Sequence, residues 1–193
     1  MRYALVNAVK IEAGNKVAAY SCGGETYTDK SGLTWQPYIA PDAFPESVLP
    51  KVKGGMPLLL MLNDTSVASS AVALLAKNGA FKYSGLVGAS RASWMGSWFF
   101  VREHPVYAGL PVNTVMKGYY QVNQAGQYGL LIDGPDVKII AAYSRDHDRN
   151  VGAATFTSKL GQGLILIQTI SGMQPVMLER WMSNAIVYLA KKK

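Results

Sequence analysis

Cysteine is almost absent from this sequence of 193 residues, since Cys22 is the only one. A single thiol excludes an internal disulfide and any cysteine cluster that would hold a metal ion. Histidine is nearly as scarce, with His104 and His147 as its two representatives. A cysteine-based metal site is therefore excluded, and we predict no metal site, with a metal at the cluster 145–149 as an alternative discussed below.

Charged side chains and long apolar runs are also sparse. Asp, Glu, Lys and Arg make up 16% of the residues against 49% hydrophobic ones, which argues against disorder. No apolar run reaches the roughly 18 residues that cross a bilayer, and Asn7 and Lys10 interrupt the apolar stretch that a signal peptide needs. We expect a soluble chain with no membrane partner. A periplasmic or secreted location stays open if the chain is a fragment of a larger precursor.

Acidic residues are fewer than basic ones, with 12 Asp and Glu against 19 Lys and Arg, and the formal net charge is +7. Three of the positive charges form a terminal tail, Lys191, Lys192 and Lys193, and the others are scattered without interleaved aromatic residues. Nucleic-acid binding requires basic residues clustered on one face. We therefore expect no nucleic-acid partner.

Apolar segments with the length of strands alternate with segments whose apolar residues recur at helical spacing. This order predicts an α/β domain. The run 57–62 has the length and composition of a strand covered on both faces, and Asn63, Asp64 and Thr65 cap a helix behind it. Extended pieces follow at 128–132, 137–143, 151–157 and 164–170, and a helix begins at Pro175. We predict one domain over residues 1–193, a three-layer sandwich with a mostly parallel sheet and an antiparallel extension.

The segment from Trp98 to Tyr120 is the most distinctive part of the sequence. It opens as a short apolar strand, and Pro105 and Pro111 then exclude a single helix or central strand. His104 lies in this segment among aromatic side chains. The pattern predicts an ordered loop between two strands and the first place to look for a distinctive surface.

Three local patterns, together with the order of elements, resemble the class I glutamine amidotransferase-like, flavodoxin-like domain. They are Y-I-A-P-D ahead of a short helix and Gly54-Gly55, the string H-P-V-Y-A-G-L-P at 104–111, and Gly161-x-Gly163 before an apolar strand and a closing helix. Over residues 34–190 the chain resembles more narrowly the version near the C-terminus of family 2, β-galactosidase-like glycoside hydrolases. The resemblance implies a flavodoxin-like accessory domain of a larger enzyme, whose catalytic carboxylates lie in a separate barrel.

The residues that an amidotransferase would need are missing. The family uses a cysteine in a G-x-C-x-G elbow and a later His-x-Glu, whereas Cys22 lies in S-C-G-G and His147 is followed by Asp148 and Arg149. We predict no glutaminase activity and no catalytic residue of that kind.

Other candidate sites each have an ordinary structural interpretation. Ser90 in G-A-S-R-A distantly matches a nucleophile elbow. The cluster 145–149 could hold a ligand, a metal or an acid–base group, or it could be an ion-paired loop. Asn63 to Ser66 occupies the phosphate position of a flavodoxin-type fold, but Asp64 would repel an anion, so we predict an N-cap and no bound flavin or other cofactor.

The aromatic residues of the central segment could form a sugar platform, a core or a domain interface. We favour core and interface. The candidate ligand or interface residues are Trp94, Trp98, His104, Tyr107, Tyr119, Tyr120, Arg145, Asp146 and His147.

The resemblance leads to a non-catalytic accessory or assembly domain of a glycoside hydrolase, with the other domains of that enzyme as partners and a homo-oligomer also open. The alternatives are a carbohydrate-binding module that uses the aromatic surface, and a small hydrolase that uses Ser90 or the cluster 145–149.

Overall fold

The computed structural model describes residues 18–22, 27–28, 34–38, 46–62, 65–88, 97–116, 127–146, 149–170 and 173–191. The strands are β1 (Ala18–Cys22), β2 (Tyr27–Thr28), β3 (Thr34–Tyr38), β4 (Leu58–Leu62), β5 (Lys82–Val87), β6 (Ser97–Val101), β7 (Thr114–Met116), β8 (Gly129–Asp133), β9 (Lys138–Arg145), β10 (Gly152–Leu160) and β11 (Gly163–Gln168). The helices are α1 (Leu49–Lys53), α2 (Thr65–Lys77) and α3 (Pro175–Lys191), and 3-10 turns occupy Glu46–Val48 and Pro105–Tyr107. The segment 3–13, whose apolar residues recur at helical spacing and predict a helix, lies outside these ranges.

The described strands form a mixed sheet in the order β2-β3-β1-β4-β11-β10-β9-β6-β7, with β8 pairing with both β10 and β5. Strands β3, β1, β4 and β11 run parallel to one another. From β11 onward every pairing is antiparallel. The sheet therefore changes character at β11, which has a parallel neighbour on one side and an antiparallel one on the other.

The prediction of a mostly parallel, flavodoxin-like sheet is wrong. Among the described strands three pairings are parallel and seven are antiparallel. The cause lies at β10, which joins β11 through the tight turn Gly161–Gln162 and takes β8 and β9 as further antiparallel neighbours. A turn this short cannot hold the crossover that parallel pairing requires.

Several local predictions are confirmed. The apolar run 57–62 forms β4, and all five of its residues are buried. Helix α2 begins at Thr65, where the sequence predicts a helix, and Pro175 occupies the first turn of α3. The predicted cap residues Asn63 and Asp64 lie outside the described residues. Each of these elements has a strong local signal, because burial on both faces makes a strand uniformly apolar and proline favours the start of a helix.

The sheet has a hydrophobic core on each face. Leu59, Met61 and Leu166 point to the face covered by α3, where Trp181, Ala185 and Leu189 are buried. Leu58, Leu60 and Leu62 point to the opposite face, which α1, α2 and the β5–β8 ribbon cover. We call these the α3 core and the α2 core. Because side chains alternate along a strand, β4 contributes to both.

The Gly161-x-Gly163 pattern allows the β10–β11 turn to lie against α1. A Cβ on Gly161, whose φ is +61°, would come within 2.7 Å of the Lys53 carbonyl oxygen, and a Cβ on Gly163 would overlap the Val52 carbonyl oxygen. Between them the Gln162 N–H donates to the Lys53 carbonyl at 3.0 Å. The pattern thus has a packing role at this position.

Within the ranges given above, the helices fall short of the length and apolar character needed to cross a membrane.

Candidate functional site

The turn that follows β6 carries His104 and Tyr107 and is the centre of the predicted surface. The chain leaves β6 extended, and the Arg102 N–H donates to the Ile140 carbonyl at 2.9 Å. Pro105 then starts a 3-10 turn, whose N-cap is His104. The His104 Nδ1 accepts a hydrogen bond from the Val106 N–H at 3.3 Å. The imidazole therefore serves to end the extended segment and begin the turn.

Helix α3 holds this turn from outside through three residues spaced four apart. The Asn184 side-chain amide donates to the Val106 and Ala108 carbonyls at 3.3 and 3.0 Å. The Arg180 Nε donates to the Ala108 carbonyl at 3.2 Å. The Tyr188 ring meets the His104 ring edge to face, with 4.8 Å between the centroids. Residues four apart lie on one face of a helix, so a single stripe of α3 fixes the turn. We call this set of contacts the α3 clamp.

Gly109 allows the clamp to close. Its φ is +72°, and a Cβ there would overlap the guanidinium of Arg180. Only glycine adopts this backbone conformation without steric cost. The A-G-L-P part of the 104–111 string is therefore explained by its contact with α3.

Tyr107 lies inside the molecule, with 1% of its surface exposed. Its hydroxyl and the Thr155 Oγ1 are 2.7 Å apart and share a hydrogen bond, and it donates to the Gln168 Oε1 at 3.4 Å. The Thr155 hydroxyl also donates to the Gln168 Oε1. On its other side the Tyr107 ring packs edge to face against Trp181, with 6.4 Å between centroids. This buried network joins the turn to β10, β11 and α3.

The network is suited to holding shape. A tyrosine hydroxyl, a threonine hydroxyl and a glutamine amide can each donate and accept hydrogen bonds. Two buried donors near it, the Gln168 Nε2 and the Trp181 Nε1, make no hydrogen bond to the described residues. The arrangement therefore ties the turn to β10 and β11 through groups that are buried.

Arg145 lies elsewhere in the fold and is 4% exposed. It ends β9 and pairs in register with Ser97 at the start of β6, whereas His104 follows the other end of β6. Its Nη1 donates to the Gly88 carbonyl, and the Tyr143 ring occupies the space that a Cβ on Gly88 would need. The structure therefore does not bring Arg145 and His104 together.

The remaining predicted residues are distributed as follows. Trp98 is half-buried on β6, and Asp146 is half-buried in the turn after β9. Ser90, Trp94, Tyr119, Tyr120 and His147 lie outside the described residues. Within the described residues, no group of three or more His, Cys, Asp or Glu side chains is placed to hold a metal ion. The predicted aromatic surface is thus represented by Trp98, His104 and Tyr107, of which Tyr107 is internal.

Tyr188 is the residue of the α3 clamp whose pKa is shifted by its surroundings. Burial raises the pKa of Tyr188 above its ordinary value of 10.0. Desolvation disfavours the charged form, and for a phenol this is the deprotonated one. Tyr188 therefore stays neutral to a higher pH in the folded chain than an exposed tyrosine does.

Sequence reasoning did not identify the partners that hold the turn. Gln168 carries the strongest missed signal, because it is the polar residue of the otherwise apolar strand β11, and buried polar groups are almost always hydrogen-bonded. Thr155 gives a weaker signal, since β10 contains several polar residues. Arg180, Asn184 and Tyr188 recur every four residues beside the apolar face of α3. Their spacing indicates a second contact face, although it does not say which segment that face meets.

Seven chains of solved structures are similar to this chain, among them two from Salmonella typhimurium. No protein-family model matches the chain, and no curated protein does. "Cytoplasmic Protein STM1381 from Salmonella typhimurium LT2" has a TM-score of 0.48 and 13% identity over 75% of this chain and 59% of its own. "Cytoplasmic Protein STM3548 from Salmonella typhimurium" has a TM-score of 0.48 and 17% identity over 76% of this chain and 60% of its own. The chain thus spans about three fifths of the length of these two proteins.

Proposed function

We propose that this chain is a non-catalytic accessory domain that packs against, or helps to assemble, a glycoside hydrolase of the β-galactosidase-like kind. The glycoside hydrolase part of this proposal rests on the sequence resemblance alone. The non-catalytic part is supported by one observation. Residues of the 104–111 string make hydrogen bonds within the domain, to α3, β10 and β11.

The candidate residues have little access to a substrate, and this is the physical reason for the non-catalytic part of the proposal. A catalytic acid or base must reach the reacting group within hydrogen-bond distance. Tyr107 is 1% exposed and Arg145 is 4% exposed, and the His104 Nδ1 is occupied by the Val106 N–H. These candidates therefore support the fold of the domain, and we assign them no step of a reaction.

An activity assay tests the non-catalytic part. The purified 193-residue chain should release no aryl group from aryl β-galactosides beyond the rate in buffer. Turnover that scales with chain concentration and persists through a second purification step would contradict the proposal. The His147→Ala variant then decides whether the alternative small hydrolase uses the cluster 145–149, because loss of that turnover would assign the activity to it.

The full native gene product tests the glycoside hydrolase part. We expect a longer protein with a catalytic barrel, in which deletion of these 193 residues lowers hydrolysis or changes the size of the assembly. A gene product without such a barrel would contradict this part and leave the non-catalytic part standing.

The alternative of a carbohydrate-binding module depends on Trp98, which is half-buried on β6 beside the exposed Phe100. Sugar rings bind to aromatic planes that are open to solvent. Calorimetric titration with galactosides should give a flat response if the accessory proposal is right. A saturating response that Trp98→Ala abolishes would favour the binding module.

A further inference from the structure

The one Asn-Gly pair of the sequence, Asn78-Gly79, directly follows helix α2. Asparagine is among the least durable side chains of proteins. Its side-chain amide is lost most readily when the next residue is glycine, which has no side chain to hinder the approach of the backbone nitrogen. Each of the other asparagines precedes a residue with a side chain. The sequence therefore offers one favourable place for spontaneous deamidation.

The reaction at such a pair has two balanced steps. The Gly79 nitrogen attacks the side-chain carbonyl carbon of Asn78, a C–N bond forms, and the amide nitrogen leaves as ammonia with the proton that Gly79 gives up. Water then opens the resulting succinimide ring at one of its two carbonyls. The product is aspartate, or isoaspartate, in which the main chain passes through the former side-chain carbon. Water is the only co-reactant.

The attacking nitrogen of Gly79 belongs to the C-cap of α2. The Gly79 N–H donates to the Ala76 carbonyl at 2.9 Å, and the Ala80 N–H donates to the Leu75 carbonyl at 3.1 Å. These two bonds form a Schellman motif, which Gly79 closes with a φ of +89°. The Gly79 nitrogen is therefore engaged as long as the cap is intact.

The Asn78 side chain is held at both of its polar atoms. Its Nδ2 donates to the Leu74 carbonyl at 3.0 Å, and its Oδ1 accepts from the Lys53 Nζ at 2.9 Å. Lys53 is the last residue of α1, so this second bond joins two helices. Reaction requires the side-chain carbonyl carbon to approach the Gly79 nitrogen. An amide that is bonded at both ends is restrained from that movement.

Hydrogen bonds restrain this pair more than burial does. Gly79 is exposed and Asn78 is half-buried. A Cβ on Gly79 would have no described atom within 4 Å. Water and hydroxide therefore reach the pair in the folded chain, and its reactivity depends on how firmly the two residues are bonded.

We propose that Asn78 is a spontaneous deamidation site of this chain and that the hydrogen bond from Lys53 slows its reaction in the folded protein. The two helices thus protect the pair by their mutual contact, and opening of the C-cap releases the reaction. This proposal does not depend on the proposed function.

The products would loosen the end of α2. Aspartate lacks the Nδ2 donor that bonds the Leu74 carbonyl, and its negative charge is unfavourable at the C-terminus of a helix. Isoaspartate adds a methylene to the main chain inside the Schellman motif and would displace Ala80. The Ala80 carbonyl accepts from the buried Ser158 hydroxyl of β10 at 2.6 Å. Deamidation would therefore weaken the attachment of α2 to the sheet.

Mass spectrometry of the peptide that contains Asn78 tests the proposal. The full chain is incubated at mildly alkaline pH, either folded or unfolded in urea, and the conversion of Asn78 is followed with time. The folded wild type should react more slowly than the unfolded chain. Lys53→Met should raise the rate in the folded chain about fivefold, the factor that corresponds to the loss of one hydrogen bond.

Two control variants separate this bond from the charge of the helix. Lys51→Met removes the same charge from an exposed position of α1 and should leave the rate unchanged. Lys53→Arg keeps a donor at position 53 and should react more slowly than Lys53→Met. Circular dichroism should report the same fold for all of these variants.

The opposite results are equally definite. An unfolded chain that does not deamidate at Asn78, or a folded chain that reacts as fast as the unfolded one, would overturn the proposal. An unchanged rate in Lys53→Met would remove Lys53 from it. A lower rate in that variant would mean that the ammonium group activates the amide, which is the reverse of what we propose.

Discussion

At the scale of single residues, the Tyr107 hydroxyl contacts both other members of the buried network, Thr155 and Gln168. We predict that Tyr107→Phe lowers the free energy of unfolding by about 1 to 2 kcal/mol, because it removes buried hydrogen bonds to Thr155 and Gln168. Thr155 and Gln168 keep their bond to each other, which limits the cost. Urea denaturation measures the change.

Tyr83→Phe is the matched control, since Tyr83 is half-buried on β5 outside this network. The double variant Tyr107→Phe/Thr155→Val should cost less than the sum of the single ones, because the two residues are in contact. Strict additivity would show that the hydroxyls act independently and would contradict the network.

Tyr188 gives a prediction for alkaline pH. Burial raises its pKa in the folded chain above the ordinary value of 10.0. The stability that this shift contributes is fully present below pH 10 and is lost as pH rises through the folded pKa, because the unfolded chain releases the proton more readily. The free energy of unfolding should therefore fall less steeply above pH 10 in Tyr188→Phe than in the wild type. Between pH 7 and 9 the difference between the two proteins should be constant, and a slope there would contradict the assignment.

At the scale of elements, the α3 clamp determines how firmly the turn after β6 is held. We predict that Asn184→Ala speeds amide hydrogen exchange across residues 104–110, because Asn184 bonds two carbonyls of the turn, those of Val106 and Ala108. Stability should fall by about 1 kcal/mol. Hydrogen exchange followed by mass spectrometry measures the local effect.

Ser183→Ala serves as the control for this variant, since it changes the neighbouring, half-buried position of the same helix. It should leave exchange in the turn unchanged. Equal exchange in Asn184→Ala and Ser183→Ala would mean that the turn is held by its own prolines and not by α3.

Individual elements were predictable from the sequence, whereas their pairing was not. The local composition of the sequence predicts strand β4 and helix α3. It also predicts the strand 98–101, which ends before Pro105. The position of β10 between β9 and β11 depends on contacts between segments that are distant in the sequence. Hydrophobic periodicity is a local signal and does not predict such contacts. For the same reason the sequence places His104 in an ordered loop but does not show that Arg180 and Asn184 of α3 bond that loop.

At the scale of the whole molecule, β4 links the two cores. Leu59 faces the α3 core and Leu60 the α2 core, and both are fully buried. We predict that Leu59→Ala and Leu60→Ala each cost about 2 to 5 kcal/mol and that each shifts one cooperative unfolding transition. Denaturant unfolding followed by fluorescence and by circular dichroism measures both.

Val151→Ala is the control, because Val151 is 59% exposed, and its effect should be within about 0.5 kcal/mol. The prediction of one domain would be contradicted if either core variant separated the fluorescence transition from the circular dichroism transition. Coincident transitions are the behaviour of a single folding unit.

During synthesis on the ribosome, β4 emerges about a hundred residues before β11, the strand with which it forms a parallel ladder. In that interval the nascent chain carries Leu58–Leu62, which is apolar on both sides and still lacks one neighbour. Such a segment readily associates with other unfinished chains. Slow translation through the second half of the message should therefore lower the yield of folded protein, and a chaperone that shields this strand should restore it.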